Sequence, residues 1–128
     1  RPEIVLAVGD GTGPLNWYEW VKGTWIAHRL ADVDNAHSLA ILDFNGDGNL
    51  DIFCAEMRLG GGNPASKTWI FYGDGQGNFR ETVIATGLDN HESKPADLDG
   101  DGDLDILVKP YNHQTPALHV LLNETKGN

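Results

Sequence analysis

A chain of 128 residues is long enough for one compact domain, and 40% hydrophobic content with 16 glycines marks it as folded and turn-rich rather than disordered. Its net charge of −10 offers no basic patch to a nucleic-acid backbone, which excludes that partner class from the expectations. No stretch has the length of an apolar membrane-spanning helix, so no membrane insertion is expected, and the single Cys54 in its apolar run reads as a buried core thiol.

In chain order the predicted elements are short and extended. Ile4-Val5-Leu6-Ala7-Val8 is an apolar run closed by Gly9-Asp10-Gly11-Thr12-Gly13, as a strand followed by a turn. Trp17–Trp20 and Trp25–Leu30 read as two further strands. Leu39–Leu42 leads into the polar stretch Asp43-Phe44-Asn45-Gly46-Asp47-Gly48-Asn49-Leu50-Asp51. Strands follow at Asp51–Glu56, Thr68–Tyr72 and Arg80–Thr86, the last two joined by the turn Gly73–Asn78. A short strand near Ser93–Ala96 leads into Asp97-Leu98-Asp99-Gly100-Asp101-Gly102-Asp103-Leu104-Asp105. Strands at Ile106–Lys109 and Leu118–Leu122 come next, and Asn123–Asn128 repeats the turn Gly73–Asn78. The glycine-rich turns lack a Lys-Ser/Thr ending and a following helix, so they are not phosphate cradles.

The two polar stretches share the pattern D-x-[DN]-x-D-G-x-x-D. Oxygen-bearing side chains stand at positions 1, 3, 5 and 9, glycine permits a sharp bend at position 6, and position 7 can offer a backbone carbonyl. That is how a short loop wraps a hard cation. Without one, the converging carboxylates repel. A helix–loop–helix calcium site would need Glu at position 12, where Cys54 and Val108 stand, and it would need flanking helices rather than apolar strand-like runs. Each loop therefore reads as a calcium site in a β-hairpin, two ions per chain, which would bring the net charge from −10 to −6. The ligand candidates are Asp43, Asn45, Asp47, Asn49 and Asp51, and Asp97, Asp99, Asp101, Asp103 and Asp105. Sites of this type work at millimolar calcium, which points to an extracellular or periplasmic setting.

From Asp43 to Asp97 the period is 54 residues, and without gaps it sets Trp17-Tyr18 on Phe71-Tyr72, Trp25 on Phe79, Trp20 on Asp74 and His37 on His91. A long self-similar period with four strands per unit is the mark of a propeller blade. The units read as a partial blade at 1–36 (strands 2–4, Glu3 in the place of Asp51), a complete blade at 37–90, and a partial blade at 91–128 (strands 1–3). The expected fold class is all-β, with antiparallel four-stranded blades, calcium-binding hairpin loops and about two and a half blades.

Carried by Ser38–Ile52, Pro95–Ile106 and the Trp17-Tyr18-Glu19 phrase, the chain resembles the FG-GAP-like/VCBS repeat family, whose blades also build integrin α-subunit propellers. The resemblance spans nearly the whole chain. It implies calcium-binding propeller blades, usually about seven to a ring. It leaves activity open, because the family includes lectins, adhesion domains and appendages of polysaccharide-degrading enzymes.

Other residues carry weaker signals. Trp17, Tyr18, Trp20, Trp25 and Trp69 can stack on sugars or pack between blades; Trp20 is the candidate for an exposed aromatic. His37, Glu56, His91, Lys94 and Lys109 are placed by antiparallel pairing on the face opposite the calcium hairpins. There they can form a polar rim for a ligand or for acid–base work, or the histidines can bond turn backbone. Asn123-Glu124-Thr125 fits the N-glycosylation sequon. The expected function is a non-enzymatic module for glycan or protein recognition. The alternatives are a subunit that self-assembles through incomplete blades, or part of a polysaccharide lyase or hydrolase propeller. Incomplete blades make a homo-oligomer, or further blades of a longer chain, the expected protein partner.

Overall fold

The computed structural model describes residues 3–59, 62–111 and 117–125. Among these residues the chain is all-β, with ten strands in three open antiparallel sheets. The first sheet holds β1 (Glu3–Leu6), β2 (Thr12–Val21) and β3 (Thr24–Asp34). The second holds β4 (Ala36–Leu42), β5 (Asp51–Glu56), β6 (Lys67–Gly73) and β7 (Phe79–Thr86). The third holds β8 (Lys94–Ala96), β9 (Asp105–Val108) and β10 (His119–Leu121), and in each sheet sequential strands are neighbours. Of the turn expected over 123–128, residues 126–128 lie outside the described part. No helix among the described residues is long and apolar enough to cross a membrane.

The sheets are layered with the second in the middle, and β5 shows why. All six of its residues are buried, and its side chains alternate between two cores. Ile52 and Cys54 face Leu15 and Val33 of the first sheet; Phe53 and Ala55 face Ile106 and Val108 of the third. A strand buried on both faces has no need of polar alternation, which is why Ile52-Phe53-Cys54-Ala55 is a continuous apolar run. Burial pushes the Cys54 thiol up to about 12.

The strand register corrects the gap-free repeat. Val5 pairs with Trp17 as Phe53 pairs with Ile70, and Trp20 pairs with Trp25 as Gly73 pairs with Phe79. Trp17 therefore matches Ile70 rather than Phe71, and Trp20 matches Gly73 rather than Asp74. The cause is the hairpin. β2 and β3 are joined by Lys22-Gly23, both at positive φ (48° and 91°), a turn one residue shorter between equivalent pairs than the one joining β6 and β7. In a strand, a slip of one residue turns each side chain to the other face. Trp17 accordingly faces the second sheet, where its ring tilts against Phe79 with centroids 6.1 Å apart.

Candidate metal centre

Each loop grows from a hairpin whose last strand pair sets its mouth. Leu42 pairs with Asp51 and Ala96 pairs with Asp105, so positions 1 and 9 of each loop are brought together. Between them glycines hold left-handed φ at positions 4 and 6: Gly46 at 72°, Gly48 at 87°, Gly100 at 84° and Gly102 at 91°. Position 4 thus needs glycine as much as position 6, which the pattern alone singled out. These bends turn backbone N–H groups inward. Asp43 accepts from Gly46 (2.8 Å), Asp47 (3.2 Å) and Gly48 (2.9 Å); Asp97 accepts from Gly100 (2.7 Å) and Gly102 (3.2 Å). Further round, Asn45 accepts from the Asp47 N–H and Asp47 from that of Asn49; Asp99 and Asp101 repeat this with Asp101 and Asp103. The N–H of Asn49 and the amide of Asn45 hold the exposed Asp47 carboxyl below the usual carboxylate range.

The ninth-position aspartates are fully buried. Asp51 accepts from the N–H of Phe44 (2.8 Å) and from that of Gly73 across the sheet (2.9 Å). Asp105 accepts from Leu98 (2.8 Å) and Asn123 (2.8 Å) in the same scheme. Burial raises the pKa of Asp51, the Gly73 and Phe44 N–H groups oppose it, and the charges of Asp47 and Asp43 add to the rise. Position 9, a ligand candidate in each loop, is therefore also a brace between loop and sheet.

In the second loop Asp97, Asp99 and Asp105 each offer a carboxylate oxygen, all within 4.8 Å of one another. Oxygens that share one calcium at about 2.3–2.6 Å lie at most about 5 Å apart, so this acidic group is spaced to hold such an ion. The FG-GAP-like repeat model matches residues 1–54 and again residues 43–108. The chain belongs to the FG-GAP-like repeat family. The two matches overlap on the first loop, and the second takes in both. No curated protein and no solved structure matches the chain.

Beside the loop, the repeat position shared by Trp20, Gly73 and Asn123 differs in each sheet. A Cβ on Gly73 would overlap the Leu50 carbonyl oxygen, so the first loop needs glycine there. Trp20, 40% exposed, packs edge-on against Trp25 at 5.0 Å. Asn123 donates through Nδ2 to the Phe44 carbonyl at 3.0 Å, so the atom a sequon sugar would join is already bonded to the first loop.

At the opposite end of the sheets, the predicted rim residues divide. His37 and His91 stack with ring centroids 5.2 Å apart. Asp10 lies 3.0 Å from His37 Nε2, Lys109 Nζ lies 3.2 Å from His91 Nδ1, and the Tyr111 ring meets His91 edge-on. This group links the three sheets through its side chains, and the His91 N–H also donates to the Lys109 carbonyl at 2.8 Å. Glu56 stands apart: it is buried, and its carboxylate accepts the N–H groups of Asp34 (2.8 Å) and Lys67 (2.7 Å). That makes it a brace between strands. Lys94 is exposed at the start of β8, and no hydrogen bond or ion pair joins it to the group among the described residues. Of the aromatics, Trp17 and Trp69 are buried, Trp17 stacking on His28 at 4.1 Å, while Trp25 is 41% exposed.

Sequence reasoning missed the residues that fasten the sheets. Asn90, fully buried, donates to Thr68 and accepts from Ser38 and Ser93. No spacing marks it, because an asparagine between strands is an ordinary turn residue. Phe44, at loop position 2, is buried against Phe53 and the third sheet, where its repeat partner Leu98 is 42% exposed.

Proposed function

We propose that this chain is a calcium-binding, propeller-type module of the extracellular or periplasmic space that recognises glycans. The observation that carries the calcium reading is the convergence of Asp97, Asp99 and Asp105 within 4.8 Å on a loop of all-oxygen donors. Asp43, Asn45, Asp47 and Asp51 would hold one ion and Asp97, Asp99, Asp101 and Asp105 the other, with Asn49 and Asp103 contributing at position 7. A bound cation offsets the mutual repulsion of these carboxylates and the burial of Asp51. Glycan recognition finds support in an open groove of about 530 Å³ beside the first loop. Its walls include Asn45, Asp47, Asp74 and Asn78, with Arg80 over the Tyr72 ring at 4.7 Å. Paired amides and carboxylates beside a flat stacked surface suit a sugar's hydroxyls and its apolar face.

Calorimetry with calcium should show two sites per chain, one lost in Asp47→Ala and the other in Asp101→Ala, and a chelator should lower the melting temperature. Unchanged heats in the double variant would end the calcium reading. Saturation-transfer spectra with a panel of methyl glycosides test the groove: signals lost in Arg80→Ala support it, and a protein ligand is the outcome if no glycoside responds.

A second reading, assembly with a further copy or further blades, is favoured by the free edges of β1 and β10. Ile4 and Leu6 on one and Val120, with the flanking Leu118 and Leu122, on the other are exposed apolar residues at strands that pair on one side only among the described residues. Light scattering at micromolar concentration separates the two: a sharp monomer peak with a cooperative melt would defeat assembly.

A further inference from the structure

We infer that Asn123 is a positioning residue that couples the two cation loops, so that loading one raises the affinity of the other; this rests on the calcium reading above. Asn123 bonds both loops although neither loop pattern contains it. Its backbone N–H donates to Asp105 at 2.8 Å and its Nδ2 donates to the carbonyl of Phe44 at 3.0 Å. Its Oδ1 accepts from the Thr125 N–H at 3.2 Å, and the Thr125 hydroxyl lies 3.0 Å from an Asp103 carboxylate oxygen. On the far side the N–H of Phe44 donates to Asp51 at 2.8 Å. A continuous path therefore runs from positions 7 and 9 of the second loop, through Asn123, to positions 2 and 9 of the first.

The path carries energy because each link fixes the next. An ion in the second loop fixes Asp105 and Asp103, which fixes the backbone of Asn123. From that place the short amide side chain reaches the Phe44 carbonyl, and the Phe44 peptide lies between the ligand candidates Asp43 and Asn45. Phe44 cannot tilt freely, since its ring is buried between the second and third sheets. The first loop is thereby held in its binding geometry before an ion arrives, and by linkage the effect is reciprocal. At the equivalent position of the second sheet, Gly73 keeps the backbone bond to Asp51 but has no side chain to send onward. The coupling thus belongs to this pair of loops. The sequon uses the same nitrogen, so a sugar at Asn123 would compete with the link.

Calcium titration of four proteins tests this: the unmodified chain, Asp101→Ala, Asn123→Asp and the double variant. Asn123→Asp keeps the side-chain size and the backbone N–H but sets an acceptor against the Phe44 carbonyl. With Asn123 present, Asp101→Ala should weaken binding at the first loop by on the order of 5- to 10-fold. In the Asn123→Asp background the same substitution should leave that affinity unchanged within about twofold. Equal first-loop affinities with and without Asp101→Ala in the Asn123 protein would overturn the coupling. An undiminished fall in the Asn123→Asp background would overturn the role of Asn123. No binding at either loop would defeat the calcium reading itself and this inference with it. Should Asn123→Asp fail to fold, Asn123→Ala carries the same comparison.

Discussion

The loops at 43–51 and 97–105 share one pattern and one hydrogen-bond scheme, yet they stand in different surroundings. The first sits against the seam between the second and third sheets, with Phe44 buried as a wedge and both Asp51 bonds in the interior. It holds three carboxylates and two amides among its ligand candidates. The second has Leu98 in place of the wedge, 42% exposed, and its Asp105 bonds are only partly buried. It holds five carboxylates. The first loop is therefore shaped by packing. The second, with weaker support and more repulsion, would gain more from the proposed cation, because ligand charge tunes the affinity of such sites. The same nine-residue pattern yields a loop held by packing and a loop crowded with charge according to what lies beside it.

The largest contrast is expected at position 2. Phe44→Ala should cost roughly 3–5 kcal/mol by opening a cavity between two sheets, while Leu98→Ala should cost below about 1 kcal/mol. Urea unfolding of both variants checks this, and equal losses would show that the first loop is not held by its wedge. Next comes position 9 in the presence of a chelator. Asp51→Ala leaves two interior N–H groups without acceptors, for a loss of roughly 2–4 kcal/mol, and Asp105→Ala should lose about half as much. The reverse order would break the comparison. Gly73→Ala should then cost roughly 1–3 kcal/mol by forcing the Leu50 carbonyl aside, and it should weaken calcium most at the first loop, with only the smaller fall that the Asn123 link passes on at the second.

The smallest effect provides a control common to both loops. Cys54 lies in β5 between the two cores, and its folded pKa of about 12 exceeds the ordinary value of 9.0. Above pH 9 the unfolded thiol ionises while the folded one stays neutral, so stability should fall as pH rises through this window. At pH 10 the loss from this group is about 1.4 kcal/mol. Cys54→Ser should remove that slope in urea melts, and native protein should resist thiol reagents. Fast labelling without unfolding would contradict the burial of β5.

Much of this was legible from residues alone. Asp51–Glu56 reads as a strand because its apolar run is bounded by a turn loop, and β5 has those bounds. The two loops and the ten strands follow from pattern and period in the same way. The repeat register of β2 was not legible. A gap-free period hides a turn shortened by one residue, and only backbone pairing shows that Trp17 faces the second sheet and Trp20 takes the place of Gly73. The sequence position of Glu56 fits the rim, but its carboxylate turns inward to two backbone N–H groups.

By itself the sequence determined what depends on neighbours along the chain. Alternating oxygen side chains with glycines at fixed steps bend a short loop around its own N–H groups, and short apolar runs between turns make strands. Only the tertiary structure decided what depends on neighbours across space. It set Phe44 as a wedge and Leu98 as a surface residue at the same loop position. It joined His37, His91, Lys109 and Asp10 from three sheets into one group. It also brought the Asn123 amide to the Phe44 carbonyl, 79 residues away. Such contacts are set by how sheets stack, and stacking depends on the summed burial of many side chains rather than on any local spacing.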